Sequence, residues 1–155
     1  MDALAALPGT TVTAVSSVYE TARVGGPLQP DYLNIVVAMV TELAGPSLLV
    51  HVHTIEAALH RTREVRWGPR TADIDVIVYD DAVSDDPVLT LPHPRAGERR
   101  FVLVPWLELD PDAVLPAGGR VADLLDALDD QAVSRRDDLR VLLPYDPEES
   151  VRTRL

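Results

Sequence analysis

The 155 residues are 46% apolar, enough for one domain with its own core and too few for two of ordinary size. There is no cysteine, which excludes disulfides and thiolate metal sites and leaves oxygen or imidazole ligands, a set suited to magnesium or calcium. A formal charge of −11 opposes nucleic acid and anionic membrane as partners, and neither a membrane-spanning apolar run nor a signal-peptide pattern is present, so a cytoplasmic location is expected.

Residues 1–9 read as the last turn or two of a helix. The β-branched, roughly alternating run from Thr11 to Glu20 reads as a half-buried strand, and the run from Tyr32 to Glu42 as a second. Between them TARVGGPLQPD, with two glycines and two prolines, makes an antiparallel hairpin with a long connection, a length more often functional than idle. Ser47 suits a helix N-cap, and Leu48, Val52, Ile55 and Leu59 then recur at helical spacing to about Arg63. The opposite face carries His53, Glu56 and His60, read as a polar stripe rather than a metal site.

A polar loop from Glu64 to Thr71 leads into DIDVIVYD, expected as a short strand, then a turn and LTLPHP. Glu98 to Glu108 reads as a helix broken at Pro105, and Val121 to Leu128 as a short amphipathic helix after a glycine turn. The charged tail over 130–155 is expected to pack loosely, apart from the apolar patch at 139–143. This order, with hairpin signals instead of repeated crossovers, favours an α+β sandwich in a single domain over 1–155.

Two features stand out against the acidic background. Seven of the 14 basic residues lie at Arg61, Arg63, Arg66, Arg70, Arg95, Arg99 and Arg100, which marks an anion-binding region. Asp73 and Asp75, two apart on the expected strand, point to one face at about 6.6 Å spacing and can share metal. Alone, such a pair is read equally well as Asp73 capping the strand's entrance with Asp75 on an exposed face. Preceded by Arg66, Trp67, Gly68, Pro69 and Arg70, it fits magnesium completed by nucleotide phosphates, with guanidinium forks gripping the phosphate oxygens. Tyr32, Trp67 and the sole phenylalanine, Phe101, could sandwich a flat heterocycle, and Asn34 offers a donor and an acceptor to its edge. His93, between prolines, suits either a phosphate donor or a structural loop histidine.

These segments resemble the 6-hydroxymethyl-7,8-dihydropterin pyrophosphokinases of folate biosynthesis: VSSVYET with QPDYLN, HRTRE, RWGPRTADIDVIVY, and LTLPHPRAGERRFVLVPW. The resemblance implies diphosphate transfer from ATP to the pterin alcohol, with AMP leaving. It implies two magnesium ions on Asp73 and Asp75, and Arg61 and Arg70 assisting transfer. ATP phosphates fall to Arg63, Arg66, His93 and Arg99, and the nucleoside to Glu56 and Thr90. The pterin falls to Thr21, Val24, Tyr32, Asn34, Trp67 and Phe101. It also implies a monomeric, ferredoxin-like α+β sandwich with a mainly antiparallel sheet flanked by helices. Members of that family begin with a strand ending in Gly-Ser-Asn and a long helix, whereas this sequence starts near that helix's end; a start assigned too far downstream is the preferred explanation. A truncated pterin- or nucleotide-binding relic is the alternative reading, and a metal-dependent nucleotide hydrolase a weaker one.

Overall fold

In the computed structural model, residues 1–21, 31–60, 72–129 and 131–141 are described, at position 60 as backbone only. The chain starts with the short helix α1 (Asp2–Ala5) and turns at Gly9 into β1 (Thr10–Val15). Gly9 has φ +57, and a Cβ there would lie 3.0 Å from the Cβ of Glu42, so this turn admits only glycine without strain. Then come β2 (Tyr19–Thr21), β3 (Tyr32–Asn34) and β4 (Val37–Thr41).

The expected pair of long strands is therefore two pairs. β1 pairs antiparallel with β4 in one sheet, and β2 with β3 in another. The break falls where Ser16 meets Val36. The Ser16 amide donates to the Val36 carbonyl, but the Val36 amide donates to the Ser16 hydroxyl, both at 2.9 Å. A side-chain oxygen thus replaces a ladder carbonyl, and the hairpin bends there.

Helix α2 (Gly45–His60) begins two residues before the expected cap: the Leu48 amide donates to the Ala44 carbonyl, which places Ser47 within the first turn. Pro46 suits that turn because its lost N–H is one the helix would leave unpaired anyway. Leu48 and Val52 are buried, whereas Leu59 is 39% exposed, so the apolar stripe fades along the helix.

The DIDVIVYD segment forms no ladder with any described strand, contrary to the expected strand. It is extended backbone held from its sides. The Ile74 amide donates to Glu56 of α2 at 2.8 Å, the Ile77 carbonyl accepts from the His93 amide at 2.8 Å, and the Tyr79 hydroxyl donates to the Leu43 carbonyl at 2.9 Å. Ile77 and Val78 pack on the main core.

Beyond it lie the small hairpin β5 (Ser84–Asp85) and β6 (Thr90–Leu91), a 3-10 turn at Ala96–Glu98, and α3 (Arg100–Leu109). α3 runs through Pro105 without breaking. A proline inside a helix costs about 3 kcal/mol, and here the burial of Val102, Leu103 and Pro105 itself offsets it. A turn through β7 (Val114–Leu115) and β8 (Gly119–Arg120) leads to α4 (Val121–Ala127), close to its expected span. Ala96, Leu103, Ala113, Leu115 and Val121 form the core between α3, α4 and this turn.

The stretch expected to be loose contributes β9 (Val133–Arg135), which pairs antiparallel with β2 and makes a three-stranded sheet in the order β3-β2-β9. The architecture is α+β with antiparallel sheets. Among the described residues no helix is long and apolar enough to cross a membrane.

Candidate active site

Alternation along residues 72–76 leaves Asp73 and Asp75 exposed while Ala72, Ile74 and Val76 turn inward, the face-sharing that the two-residue spacing implies. Glu56 fixes the residue between the two acids by accepting the Ile74 amide. It is thus committed, through one carboxylate oxygen, to placing the pair.

Asp75 meets two of the expected phosphate contacts. Its Oδ2 lies 3.3 Å from Nη1 of Arg99 and 3.9 Å from Nε2 of His93. Arg99 stands immediately before α3 and its guanidinium sits 5.5 Å from the ring centre of Phe101, a cation–π distance that holds the side chain against the helix. His93 is fixed at both ends. Its amide donates to Ile77, and its Nδ1 accepts the Arg95 amide at 3.1 Å. An accepting Nδ1 leaves the neutral ring's proton on Nε2, the nitrogen that faces Asp75. Asp75, His93, Arg99 and Phe101 therefore form one cluster, in which donors and a carboxylate face the same point.

A second group lies on the β2–β3 hairpin. Tyr32, 57% exposed, pairs with Thr21, and Asn34 donates from Nδ2 to the Thr21 hydroxyl at 3.1 Å. Thr21, Tyr32 and Asn34 are thereby brought together as expected, although the Asn34 amide nitrogen is turned back onto the sheet. Thr90 stands on β6 with its hydroxyl bonded to the Asp86 carbonyl. Val24, Arg61, Arg63, Arg66, Trp67 and Arg70 lie outside the described residues.

The profile of the family described as 7,8-dihydro-6-hydroxymethylpterin-pyrophosphokinase (HPPK) matches residues 1–111. The chain belongs to this family. A 2-amino-4-hydroxy-6-hydroxymethyldihydropteridine pyrophosphokinase of Methylorubrum extorquens is 47% identical over 132 residues, covering 85% of this chain and 83% of that protein. The protein of the same description from Pseudomonas aeruginosa is 38% identical over 135 residues, 87% of this chain and 83% of the relative. That from Synechocystis is 42% identical over 131 residues, 84% and 67% respectively.

Asp73 and Asp75 are the carboxylates on this face that could hold a metal. Among the described residues no three acidic or histidine side chains gather into a cage. Two exposed carboxylates on one face match magnesium, which keeps waters and takes phosphate oxygens, better than calcium, which demands six to eight oxygens.

Two positions were not singled out from the sequence. Gln131 donates from Nε2 to the Glu98 carbonyl and accepts the Arg100 amide at Oε1, both at 3.1 Å, which brackets Arg99 from a segment beyond the family match. Glu108 receives three hydrogen bonds from β2 and the residues before it. No local pattern announces either, because each depends on a fold contact between distant segments.

Proposed function

We propose that this chain transfers the terminal diphosphate of ATP to 6-hydroxymethyl-7,8-dihydropterin, releasing AMP, as a cytoplasmic monomer serving folate biosynthesis. The observation that carries the site assignment is the convergence of Asp75 with His93 and Arg99, with Asp73 on the same face. In this reading the pterin hydroxymethyl oxygen bonds to the β-phosphorus as its proton passes to water, while the bond from that phosphorus to the bridging oxygen breaks and AMP leaves with that oxygen and the electron pair.

Asp73 and Asp75 would hold two magnesium ions, which would supply charge neutralisation for the transferring phosphates. Arg99 and the Nε2 proton of His93 bind phosphate oxygens, which offer Arg99 the same kind of partner that Asp75 gives it. Arg63 and Arg66 add further phosphate contacts, and Arg61 and Arg70 stabilise charge that builds during transfer. Glu56 and Thr90 flank the nucleoside. Thr21, Val24, Tyr32, Asn34, Trp67 and Phe101 enclose the pterin, whose flat ring gains roughly 0.5–1.5 kcal/mol from stacking beyond burial. Little covalent work falls to the protein; alignment and charge neutralisation do most of it.

We read the fold as a ferredoxin-like sandwich in one domain. Glu56 of α2 and Leu43, two residues before that helix, anchor opposite ends of the 74–79 segment, which lays it against the helix.

The magnesium assignment is tested by chelation. With ATP and pterin saturating, EDTA is expected to take AMP release to background and added magnesium to restore it, the rate still rising after ATP holds one ion. Turnover that survives chelation contradicts the assignment.

A further inference from the structure

Glu108 lies near the end of α3, the helix whose other end carries Arg99 and Phe101. Its carboxylate accepts the Ser17 amide at 3.0 Å, the Ser17 hydroxyl at 2.6 Å and the Tyr19 hydroxyl at 3.0 Å, and Arg135 of β9 stands 4.0 Å away. Three donors on one carboxylate make a stiff joint, since hydrogen bonds to an ionised group are roughly twice as strong as neutral ones. Partial burial favours the protonated carboxyl, but the Ser17 donors, then Tyr19 and Arg135, outweigh it and hold its pKa below the ordinary carboxylate value. The joint is therefore charged at neutral pH.

Tyr19 starts β2 and pairs with Asn34, and Thr21 at its other end pairs with Tyr32. The joint at Glu108 consequently sets where the Thr21–Tyr32–Asn34 hairpin stands relative to the helix bearing Phe101. We propose that Glu108 is a positioning residue for the pterin: through Ser17 and Tyr19 it holds the hairpin wall of the pterin site at a fixed distance from the Phe101 wall. This rests on the hairpin being a pterin wall, as read above. The hydrogen bonds on Glu108 come from Ser17 and Tyr19, at the end of α3 away from Arg99 and Asp75.

Steady-state kinetics with each substrate varied, together with thermal unfolding, test the proposal on the full chain. Glu108→Ala is expected to raise the pterin KM about 10-fold, because a shift of order 1 Å at a binding wall is enough to weaken alignment. The ATP KM should stay within about twofold. Glu108→Gln, which keeps one accepting oxygen, should fall between, and Tyr19→Phe, which removes a single hydroxyl, should raise the pterin KM severalfold with the fold intact. Asn34→Ala separates the two layers of the reading. If Asn34→Ala raises the pterin KM while folded Tyr19→Phe and Glu108→Gln leave it unchanged, the positioning role is wrong and the pterin wall stands. If Asn34→Ala leaves it unchanged, the wall assignment falls and the proposal with it. A parallel rise of both KM values with a fall in kcat, tracking lost stability, would mean that Glu108 only supports the fold, and overturns the proposal.

Discussion

Replacing Asp75 with alanine is expected to lower kcat by about 10³-fold or more while shifting the unfolding temperature by only a few degrees. The size follows from what the side chain does in the proposed site: metal-borne stabilisation of transferring phosphoryl oxygens is worth several kcal/mol, and about 4 kcal/mol is a factor of roughly 10³. The small stability effect follows from exposure. The Asp75 side chain is 51% exposed and its partners Arg99 and His93 lie at 3.3 and 3.9 Å, so an exposed ion pair contributes at most about 1 kcal/mol. Pterin binding should persist in part, since Thr21, Tyr32 and Asn34 are positioned by the pairing of β2 with β3. Steady-state AMP release, read beside a melting curve of the same sample, checks both halves; unchanged turnover in a folded variant would remove Asp75 from the site.

Leu103→Ala is expected to be the most damaging of the simple core truncations, at about 2–5 kcal/mol and roughly 10 °C in Tm. Leu103 is fully buried among Ala96, Ala113, Leu115 and Val121, so its removal leaves a cavity lined by two alanines and β-branched or leucine side chains that cannot swing in to fill it. The damage reaches the site, because Ile77 and Val78 pack on this same core two and three residues after Asp75. Activity per folded molecule should therefore fall as well. Val50→Ala, at a position 64% exposed, should change stability by less than about 0.5 kcal/mol, and chemical denaturation of the pair measures the contrast.

The parts of this fold that were legible are those written in local periodicity. The apolar repeat at Leu48 and Val52 located α2, and the two-residue spacing put Asp73 and Asp75 on one face, as their alternation with Ala72, Ile74 and Val76 bears out. The hairpin was legible too, but its break into two sheets was not, because it hangs on one hydroxyl, Ser16, accepting the amide of a residue 20 positions away. DIDVIVYD has every local mark of a strand, yet strand identity is a property of pairing, and its described contacts include Glu56 of α2, Leu43, His93, Arg99 and the core. Pro105 promised a broken helix, and burial overrode it. Conversely, Val133–Arg135 sits in a charged tail whose composition hides a strand completed by β2. Within the candidate site, Asp75, His93 and Arg99 were each named through resemblance, whereas Gln131 and Glu108 make contacts 31 to 91 residues long that no spacing rule encodes.

Phosphorus NMR of a mixture of ATP, magnesium, the hydroxymethyl pterin and this chain tests the central claim most directly. AMP and a pterin-linked diphosphate should appear in equal amounts and at equal rates, with no AMP when the pterin is left out. Appearance of ADP with a pterin monophosphate, or of inorganic phosphate or diphosphate independent of the pterin, would contradict it.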